Sequence, residues 1–237
     1  MMQVYPDLEA LSRAAAEIFV AEAREAAAKR GRFAVALSGG STPKRTYELL
    51  ASPLCRGLVP WRQVHAFWGD ERCVPPDDPR SNYRMTREAL LDHVPLPPGQ
   101  VHRIRGELPP AEGAADYEAV LRQFFGGKRP RFDLNFLGLG TNGHTASLFP
   151  GTPVLDEVQR WAAEVYVAEL DMWRVTLTVP VLNEAAVTAF LVAGADKAAV
   201  LKEVRAGPRD PRRLPAQLIR PRDGQLLWLA DRAAAGQ

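Results

Sequence analysis

The sequence has few cysteines and no long apolar run. Only two of its 237 residues are cysteine, Cys55 and Cys73, which is too few for a disulfide framework or a C-x-x-C metal site. No apolar stretch approaches the roughly 20 residues that span a bilayer. The first residues also lack the basic and apolar segments of a secretory signal. We therefore expect a cytoplasmic protein with free thiols and no membrane partner.

A large excess of one charge is also missing. Thirty Lys and Arg residues balance 28 Asp and Glu residues, so the formal net charge is only +2. This balance excludes a polybasic nucleic-acid binder and an acidic disordered tail, and no nucleic-acid partner is expected. Arg greatly outnumbers Lys, and we attribute most of that excess to the base composition of a GC-rich genome.

Short apolar segments alternate with helical patterns along the chain. A capped helix begins after Asp7 and ends at Gly31, and further helices are predicted at 43–50, 81–91, 111–125 and 197–204. Strands are predicted at 33–37, 64–68, 132–137, 161–167, 175–179, 190–193 and 226–230. This alternation predicts an α/β fold: a mostly parallel, Rossmann-like sheet with helices on both faces, in a single domain spanning residues 1–237.

Ligands of such sheets bind beyond the carboxyl ends of the strands, where three loops carry polar residues. The first loop is Ser38-Gly39-Gly40-Ser41-Thr42-Pro43, which follows one predicted strand and opens a helix. Glycines let the backbone approach a ligand closely, and the N–H groups of the helix start suit an anion. A plain strand-to-helix turn is the structural alternative, and we favour anion binding.

The second loop, Gly69 to Pro75, follows the strand that ends at Trp68 and contains Asp70, Glu71 and Arg72. A solvated loop would have the same composition. Its place at the end of a strand makes these residues candidates for proton transfer and phosphate binding.

The third loop runs from Gly138 to Pro150 and contains a G-x-G-x-x-G pattern followed by His144. No long helix clearly follows, so the pattern is weak evidence for a dinucleotide site. Among the four histidines, His65 is interpreted as a core residue, and His93 and His102 as surface or packing residues. His144 is the one placed for base catalysis.

Several other chemistries are excluded by missing motifs. There is no G-x-S-x-G nucleophile elbow and no H-E-x-x-H, and the His and Cys residues have no metal-ligand spacing. A hydrolase built from these residues would activate water, and no metal is expected.

Six stretches together resemble the 6-phosphogluconolactonase family, within the larger glucosamine-6-phosphate deaminase/isomerase superfamily. They are S-G-G-S-T-P from Ser38, D-E-R-x-V-P from Asp70, G-H-T-A-S-L-F-P from Gly143, R-V-T-L-T from Arg174, G-A-D-K-A-A-V-L from Gly194 and L-P-A from Leu214. G-H-T-A-S-L-F-P is highly specific, and each of the others is moderately so.

The resemblance implies hydrolysis of 6-phospho-D-glucono-1,5-lactone to 6-phospho-D-gluconate, the second step of the oxidative pentose phosphate pathway, without a cofactor. It implies that His144 is the general base and that Asp70 orients the site. Arg72 and Lys197 would bind the phosphate, and Arg174 would add positive charge. Gly39, Gly40 and Ser41 would line the pocket.

Asn142 departs from the family pattern, which usually has Asp at this position, and it is counted among the binding residues. A carboxylate beside the imidazole would favour its charged form, whereas an amide can only form hydrogen bonds. Either the acid is dispensable here, or another carboxylate such as Asp70 supplies its effect.

Two rival functions stay open at this point. Glucosamine-6-phosphate deaminases show I-A-F-N-E-P where this chain has Thr145 to Pro150, and the glutamate is missing here. A non-catalytic sugar-phosphate-sensing domain is the other rival, against which no helix-turn-helix segment is seen. The expected partner is in every case a small sugar phosphate, and the chain is expected to be a monomer or a small homo-oligomer.

Overall fold

The computed structural model describes residues 1–127 and 129–237, and these residues form two β-sheets. Seven strands make the larger sheet, in the spatial order β1 (Met2–Tyr5), β10 (Gln225–Asp231), β9 (Val187–Val192), β6 (Leu134–Leu137), β2 (Phe33–Leu37), β3 (Val64–Trp68) and β5 (Val101–His102). Every neighbouring pair in this sheet is parallel. The prediction of a mostly parallel α/β sheet is therefore confirmed.

Helices cover both faces of this sheet. Those of the described residues are α1 (Leu8–Arg30), α2 (Ser41–Ala51), α3 (Asn82–Ala89), α4 (Pro110–Phe125), α5 (Val179–Leu182) and α6 (Ala198–Ala206). Phe19 of α1 packs on Phe33 of β2, with ring centroids 5.2 Å apart. Phe67, the register partner of Ala36, packs on Phe124 of α4 at 4.9 Å. Because Phe33 and Ala36 point to opposite faces of β2, the two helices lie on opposite sides.

The first helix has the boundaries that the sequence predicts. The Asp7 side chain accepts a hydrogen bond from the backbone N–H of Ala10, and Gly31 closes the helix with a φ of +71°. That left-handed conformation suits glycine, and Lys29 and Arg30 lie favourably in the last turn. Both ends of α1 are therefore fixed by local chemistry.

The second sheet is a departure from the sequence prediction. The stretch Asp70–Arg72, predicted as a loop, is a short strand, β4, and it pairs antiparallel with β8 (Met172–Leu177), which in turn pairs with β7 (Ala162–Val167). Three polar residues carry no hydrophobic pattern, so their strand pairing could not be read from the sequence. Tyr166 and Trp173 are partly exposed on this sheet, which antiparallel strands tolerate.

Other elements differ from the prediction mainly at their ends. The helix predicted at 43–50 begins at Ser41, and the strand predicted at 190–193 begins at Val187. The strands β1 and β5 and the single turn α5 were not predicted, because they are too short for a periodic pattern.

The single-domain organisation stays a prediction. No helix in residues 1–127 or 129–237 is long and apolar enough to cross a bilayer.

Two buried tyrosines fix the carboxyl ends of the central strands. The Tyr47 hydroxyl accepts a hydrogen bond from Ser38 N at 2.9 Å and donates one to Ser38 O at 2.8 Å. The Tyr117 hydroxyl does the same at Trp68, at 3.0 and 2.8 Å. Burial raises the pKa of both phenols well above its ordinary value, so both act as neutral hydrogen-bonding groups. The loops that leave β2 and β3 therefore start from rigid positions.

This arrangement predicts the effect of Tyr47→Phe. Without the hydroxyl, the buried N–H and C=O of Ser38 each lose a partner, which should lower the free energy of unfolding by about 1–3 kcal/mol. Urea unfolding measures this change. Tyr83→Phe is the control, because no hydrogen bond of the Tyr83 hydroxyl is found within the described residues. Equal loss in both variants would contradict the assigned role of Tyr47.

Candidate active site

A cavity of about 250 Å³ opens at the carboxyl ends of the central strands. It is lined by residues 38–43 after β2, residues 138–140 after β6 and residues 191–193 at the end of β9. The chain leaves β2 toward β3 on one side, whereas β6 leads on toward β9 on the other side. Such a point, where connections diverge, is where open α/β sheets bind their ligands.

The first loop brings backbone close to this cavity because it contains two glycines. A Cβ on Gly39 would lie 1.8 Å from the side-chain oxygen of Asn82, so any other residue would displace Asn82. Gly40 precedes α2 with a φ of +106°, which an L side chain rarely adopts. The first turn of a helix leaves N–H groups without intrahelical partners, and those of α2 start at Ser41 beside the cavity.

Asp70 is a buried carboxylate at the centre of the site. Its Oδ2 accepts a hydrogen bond from Ser147 Oγ at 2.6 Å and lies 3.7 Å from Arg174 Nη1. The Asn82 amide donates to the backbone oxygen of Asp70 at 2.9 Å. These contacts connect β4, β8, α3 and the third loop. Asp70 is thus held rigidly beside Arg174 and Ser147, and its orienting role stays a prediction.

The neighbouring Glu71 has a structural role instead. Its carboxylate accepts hydrogen bonds from Ser81 Oγ and from the backbone N–H groups of Asn82 and Tyr83 at the start of α3. Burial raises its pKa, and these hydrogen bonds oppose that change. Glu71 therefore holds α3 beside β4 and leaves proton transfer to other groups.

Two arginines lie side by side on neighbouring strands of the second sheet. Arg72 of β4 and Arg174 of β8 are direct register partners, and both line the cavity. Burial lowers the pKa of Arg174, Asp70 opposes this, and the positive charge of Arg72 lowers it further. Within the described residues, the buried Nε atoms of both arginines have no hydrogen-bond partner. Like charges placed opposite each other are unfavourable, so this pair is suited to receive an anion.

Lys197 supplies a third cation from the other side of the cavity. It lies immediately before α6, after a turn in which Gly194 has a φ of +100° and donates its N–H to Asp231 of β10 at 3.1 Å. Its ammonium lies 3.2 Å from the exposed carboxylate of Asp196. The three cations come from β4, β8 and the β9–α6 turn, and together they make the cavity strongly electropositive.

The third loop folds into a tight turn that presents His144. Gly143 has a φ of +81°, and its N–H donates to the backbone oxygen of Gly140 at 2.9 Å. A Cβ on Gly140 would lie 2.0 Å from His144 Nδ1, so glycine makes room for the imidazole. No α-helix begins between Gly143 and Val179, so the G-x-G-x-x-G pattern does not open the helix that a dinucleotide site requires.

The hydrogen bonds of His144 define its protonation. Its Nδ1 lies 2.6 Å from Asn142 Oδ1, an oxygen that can only accept, so Nδ1 carries the proton in the neutral ring. That leaves Nε2 as the nitrogen able to take a proton. The ring stacks on Phe149 at a centroid distance of 4.0 Å, which fixes its plane.

Burial lowers the pKa of His144 to about 4. Asp70 opposes this change, while the positive charges of Arg174, Lys197 and Arg72 lower the pKa further. A pKa of about 4 keeps the imidazole neutral at pH values well above 4. The free form needed for general-base chemistry is therefore fully populated near neutral pH.

Most predicted site residues meet in this one cavity. Those that line it are Gly39, Gly40, Ser41, Asp70, Arg72, His144, Arg174 and Lys197. Asn142 does not line it, and it contacts the edge of His144 instead. Asn82 lines the cavity and was not predicted, because nothing in the sequence connects it to Asp70. Phe149 was quoted within a motif, but its stacking on His144 could not be read from sequence.

The other histidines lie away from the site: His65, predicted as a core residue, is half-buried, and His93 is exposed. His65 Nδ1 lies 3.1 Å from His102 Nε2, and both rings pack beside Phe124. Burial lowers the pKa of both rings, that of His102 to about 4. Neither lines the cavity. Within the residues that the structure describes, no three His, Cys, Asp or Glu side chains are grouped as metal ligands.

Comparison with known proteins places the chain among sugar-phosphate enzymes. The family model described as "Glucosamine-6-phosphate isomerases/6-phosphogluconolactonase" matches residues 6–228. A 6-phosphogluconolactonase of Synechocystis sp. is 46% identical over 215 residues, which cover 89% of this chain and 86% of the relative. One from Nostoc sp. is 41% identical over 241 residues, covering 100% and 97%. The match extends over all three site loops.

Solved structures agree with the sequence matches. A 6-phosphogluconolactonase from Trypanosoma cruzi aligns with a TM-score of 0.86 at 28% identity, covering 100% of this chain and 96% of that one. The architecture described above is therefore shared over the whole length.

The position of Gly140 predicts the effect of Gly140→Ala. The added methyl group would displace the His144 ring, and a displacement of about 1 Å can reduce turnover about 100-fold. Gly138→Ala is the matched control, because its Cβ would lie 3.9 Å from Ser38 Oγ, an ordinary contact. Steady-state kinetics measures the activity of both variants. An equal loss in both would contradict the conclusion that Gly140 makes room for the His144 imidazole.

The contact with Asn142 predicts the effect of Asn142→Asp on the imidazole. A carboxylate at the Nδ1 side stabilises the charged ring, so the pKa of His144 should rise above its value of about 4. NMR titration of the ring protons measures the change, and the exposed His93 serves as internal control. An unchanged His144 midpoint would show that Asn142 does not set its electrostatics.

Proposed function

The chain belongs to the glucosamine-6-phosphate isomerase/6-phosphogluconolactonase family, and we propose that it hydrolyses 6-phospho-D-glucono-1,5-lactone to 6-phospho-D-gluconate. This is the second step of the oxidative pentose phosphate pathway. The observation that carries the proposal is the neutral imidazole of His144 in the same cavity as three cationic side chains. A base and an anion site in one small cavity suit the hydrolysis of a phosphorylated ester.

The phosphate provides the binding energy that positions the lactone. Arg72 and Lys197 bind its oxygens, and Arg174 adds positive charge beside them. Backbone N–H groups at Gly39, Gly40 and Ser41 support the same anion through the positive end of α2. Fixing the phosphate in this way holds the lactone carbonyl against the base and removes the entropic cost of a free encounter.

His144 Nε2 accepts a proton from water as the water oxygen attacks the lactone carbonyl carbon. The carbonyl π bond opens, and the resulting oxyanion is stabilised by the positive field of the cavity. When the carbonyl re-forms, the bond to the ring oxygen breaks, and the imidazolium returns its proton to that oxygen. The product is the open-chain acid, which carries a new hydroxyl group, and the His144 imidazole is neutral again.

Substrate binding itself improves the base. In the free protein, Arg174, Lys197 and Arg72 lower the pKa of His144. A bound phosphate dianion offsets those three charges, so the pKa of the imidazole rises when substrate is present. The base is thereby strongest when the lactone is in place.

Deamination of glucosamine 6-phosphate is disfavoured by the third loop. The glutamate of the I-A-F-N-E-P pattern aligns with Phe149, whose ring stacks on His144. This chain therefore has an apolar ring against His144 where that pattern has a carboxylate. A cytoplasmic location and a monomeric or small oligomeric state stay predictions, as does the absence of a nucleic-acid partner.

Replacement of the base tests the proposal. His144→Ala should lower kcat for the lactone by at least about 100-fold, because general-base catalysis contributes about 10²–10⁴-fold. Binding of 6-phosphogluconate should stay largely intact, since the cations are unchanged. The rate is measured by lactone disappearance after subtraction of spontaneous hydrolysis, with His93→Ala as control.

Ammonia release and sugar-phosphate binding, measured beside the lactone assay, separate the rival functions. Ammonia released from glucosamine 6-phosphate would assign the deaminase reaction instead. Binding of sugar phosphates without any rate above the blank would assign a sensing role. A His144→Ala variant with near-wild-type kcat would show that the base lies elsewhere.

A further inference from the structure

The amide of Asn142 connects His144 to a carboxylate outside the cavity. Its Oδ1 accepts from His144 Nδ1 at 2.6 Å and from the His144 backbone N–H at 3.2 Å. Its Nδ2 donates to Glu169 Oε1 at 2.9 Å. Glu169 lies in the turn 168–170 that follows β7, 27 residues away in the chain. The turn after β7 thus contacts the third loop through Asn142.

The two ends of the Asn142 amide are not equivalent for the imidazole. With the oxygen toward His144, Nδ1 must donate, and Nε2 is free to accept a proton. With the amide reversed, an N–H group would face Nδ1, and the ring would carry its proton on Nε2. That tautomer cannot take a proton from water at Nε2. The orientation of one amide therefore decides whether His144 can act as a base.

Glu169 distinguishes between these orientations. A carboxylate can only accept hydrogen bonds, so it is satisfied by the Nδ2 end of Asn142. In the reversed amide, two oxygens would face each other at hydrogen-bonding distance, which is repulsive. Oδ1 also accepts from the backbone of His144, so both contacts favour the same orientation.

We propose that Glu169 is a positioning residue that fixes the Asn142 amide and, through it, the proton-accepting tautomer of His144. The inference rests on the proposed role of His144 as base, and it adds a residue that never contacts substrate. Glu169 belongs to neither the cavity lining nor any of the sequence motifs. The contact explains how an amide can replace a carboxylate at position 142, because the Glu169 carboxylate contacts His144 indirectly, through the Asn142 amide.

The size of the effect follows from the exposure of Glu169. Its side chain is solvent-exposed, so water competes for the hydrogen bond and screens the charge. We expect Glu169→Ala to lower kcat by about 3- to 10-fold with little change in KM. Glu169→Gln should keep most of the activity, because its amide oxygen can still accept from Asn142 Nδ2.

The decisive test combines Glu169→Ala with Asn142→Asp. In the wild-type protein, Glu169→Ala should reduce kcat. In the Asn142→Asp variant, the Glu169 carboxylate would instead repel the new carboxylate. Adding Glu169→Ala should then raise kcat above that of the Asn142→Asp single variant. A residue that only stabilises the turn would reduce kcat in both backgrounds, and that result would overturn the proposal.

Glu203→Ala is the matched control for the loss of a negative charge. Glu203 and Glu169 line the same neighbouring cavity, but Glu203 pairs with Arg213 on the protein surface. Its removal should leave kcat unchanged. A loss equal to that of Glu169→Ala would mean that general charge, and not the amide contact, is responsible, and would overturn the proposal.

Nitrogen-15 NMR of the His144 ring gives a readout that does not depend on turnover. The wild-type ring should show the Nδ1–H tautomer, and Glu169→Ala should add a measurable fraction of the Nε2–H tautomer. An unchanged tautomer ratio in Glu169→Ala would overturn the positioning role. Full activity of His144→Ala would instead contradict the proposed function while leaving the tautomer result intact, so the two failures can be told apart.

Discussion

The site depends on one buried carboxylate that keeps two arginines side by side. Arg72 and Arg174 are direct partners on neighbouring strands, where like charges are unfavourable, and Asp70 compensates at 3.7 Å from Arg174. The same carboxylate accepts a hydrogen bond from Ser147 of the third loop. Removing it would leave uncompensated cations in a buried place. The second sheet, the third loop and the anion site are therefore held together by Asp70.

The electrostatics of the base follow from this constraint. Concentrated positive charge and burial lower the pKa of His144, while Asp70 alone among the named charges raises it. The cavity of the free protein is thus an electropositive site with a neutral imidazole at its edge. In the proposed reaction, an arriving phosphate dianion offsets the cations, and the pKa of His144 rises as the substrate binds. Binding and proton transfer are thereby coupled through charge in that reaction.

Much of this site can be predicted from sequence because the carboxyl ends of parallel strands meet at one edge. Gly39, Gly40 and His144 lie in loops that follow apolar strands, and that placement makes them candidates. The register that sets Arg72 opposite Arg174 joins strands about 100 residues apart, and no local pattern encodes it. The contacts of Asn82 with Asp70 and of Glu169 with Asn142 are likewise tertiary. The sequence therefore predicts candidates for the reacting groups, whereas the residues that contact and orient those candidates are seen only in the fold.

The most direct measurement of this coupling is the NMR titration of His144 with and without saturating sulfate. Sulfate is a dianion across the relevant pH range and mimics the phosphoryl group without titrating itself. If the cations and the base share one cavity, sulfate should raise the pKa of His144 above its free value of about 4. An unchanged midpoint, with sulfate binding shown by shifts of the Arg72 and Arg174 side-chain resonances, would contradict the account.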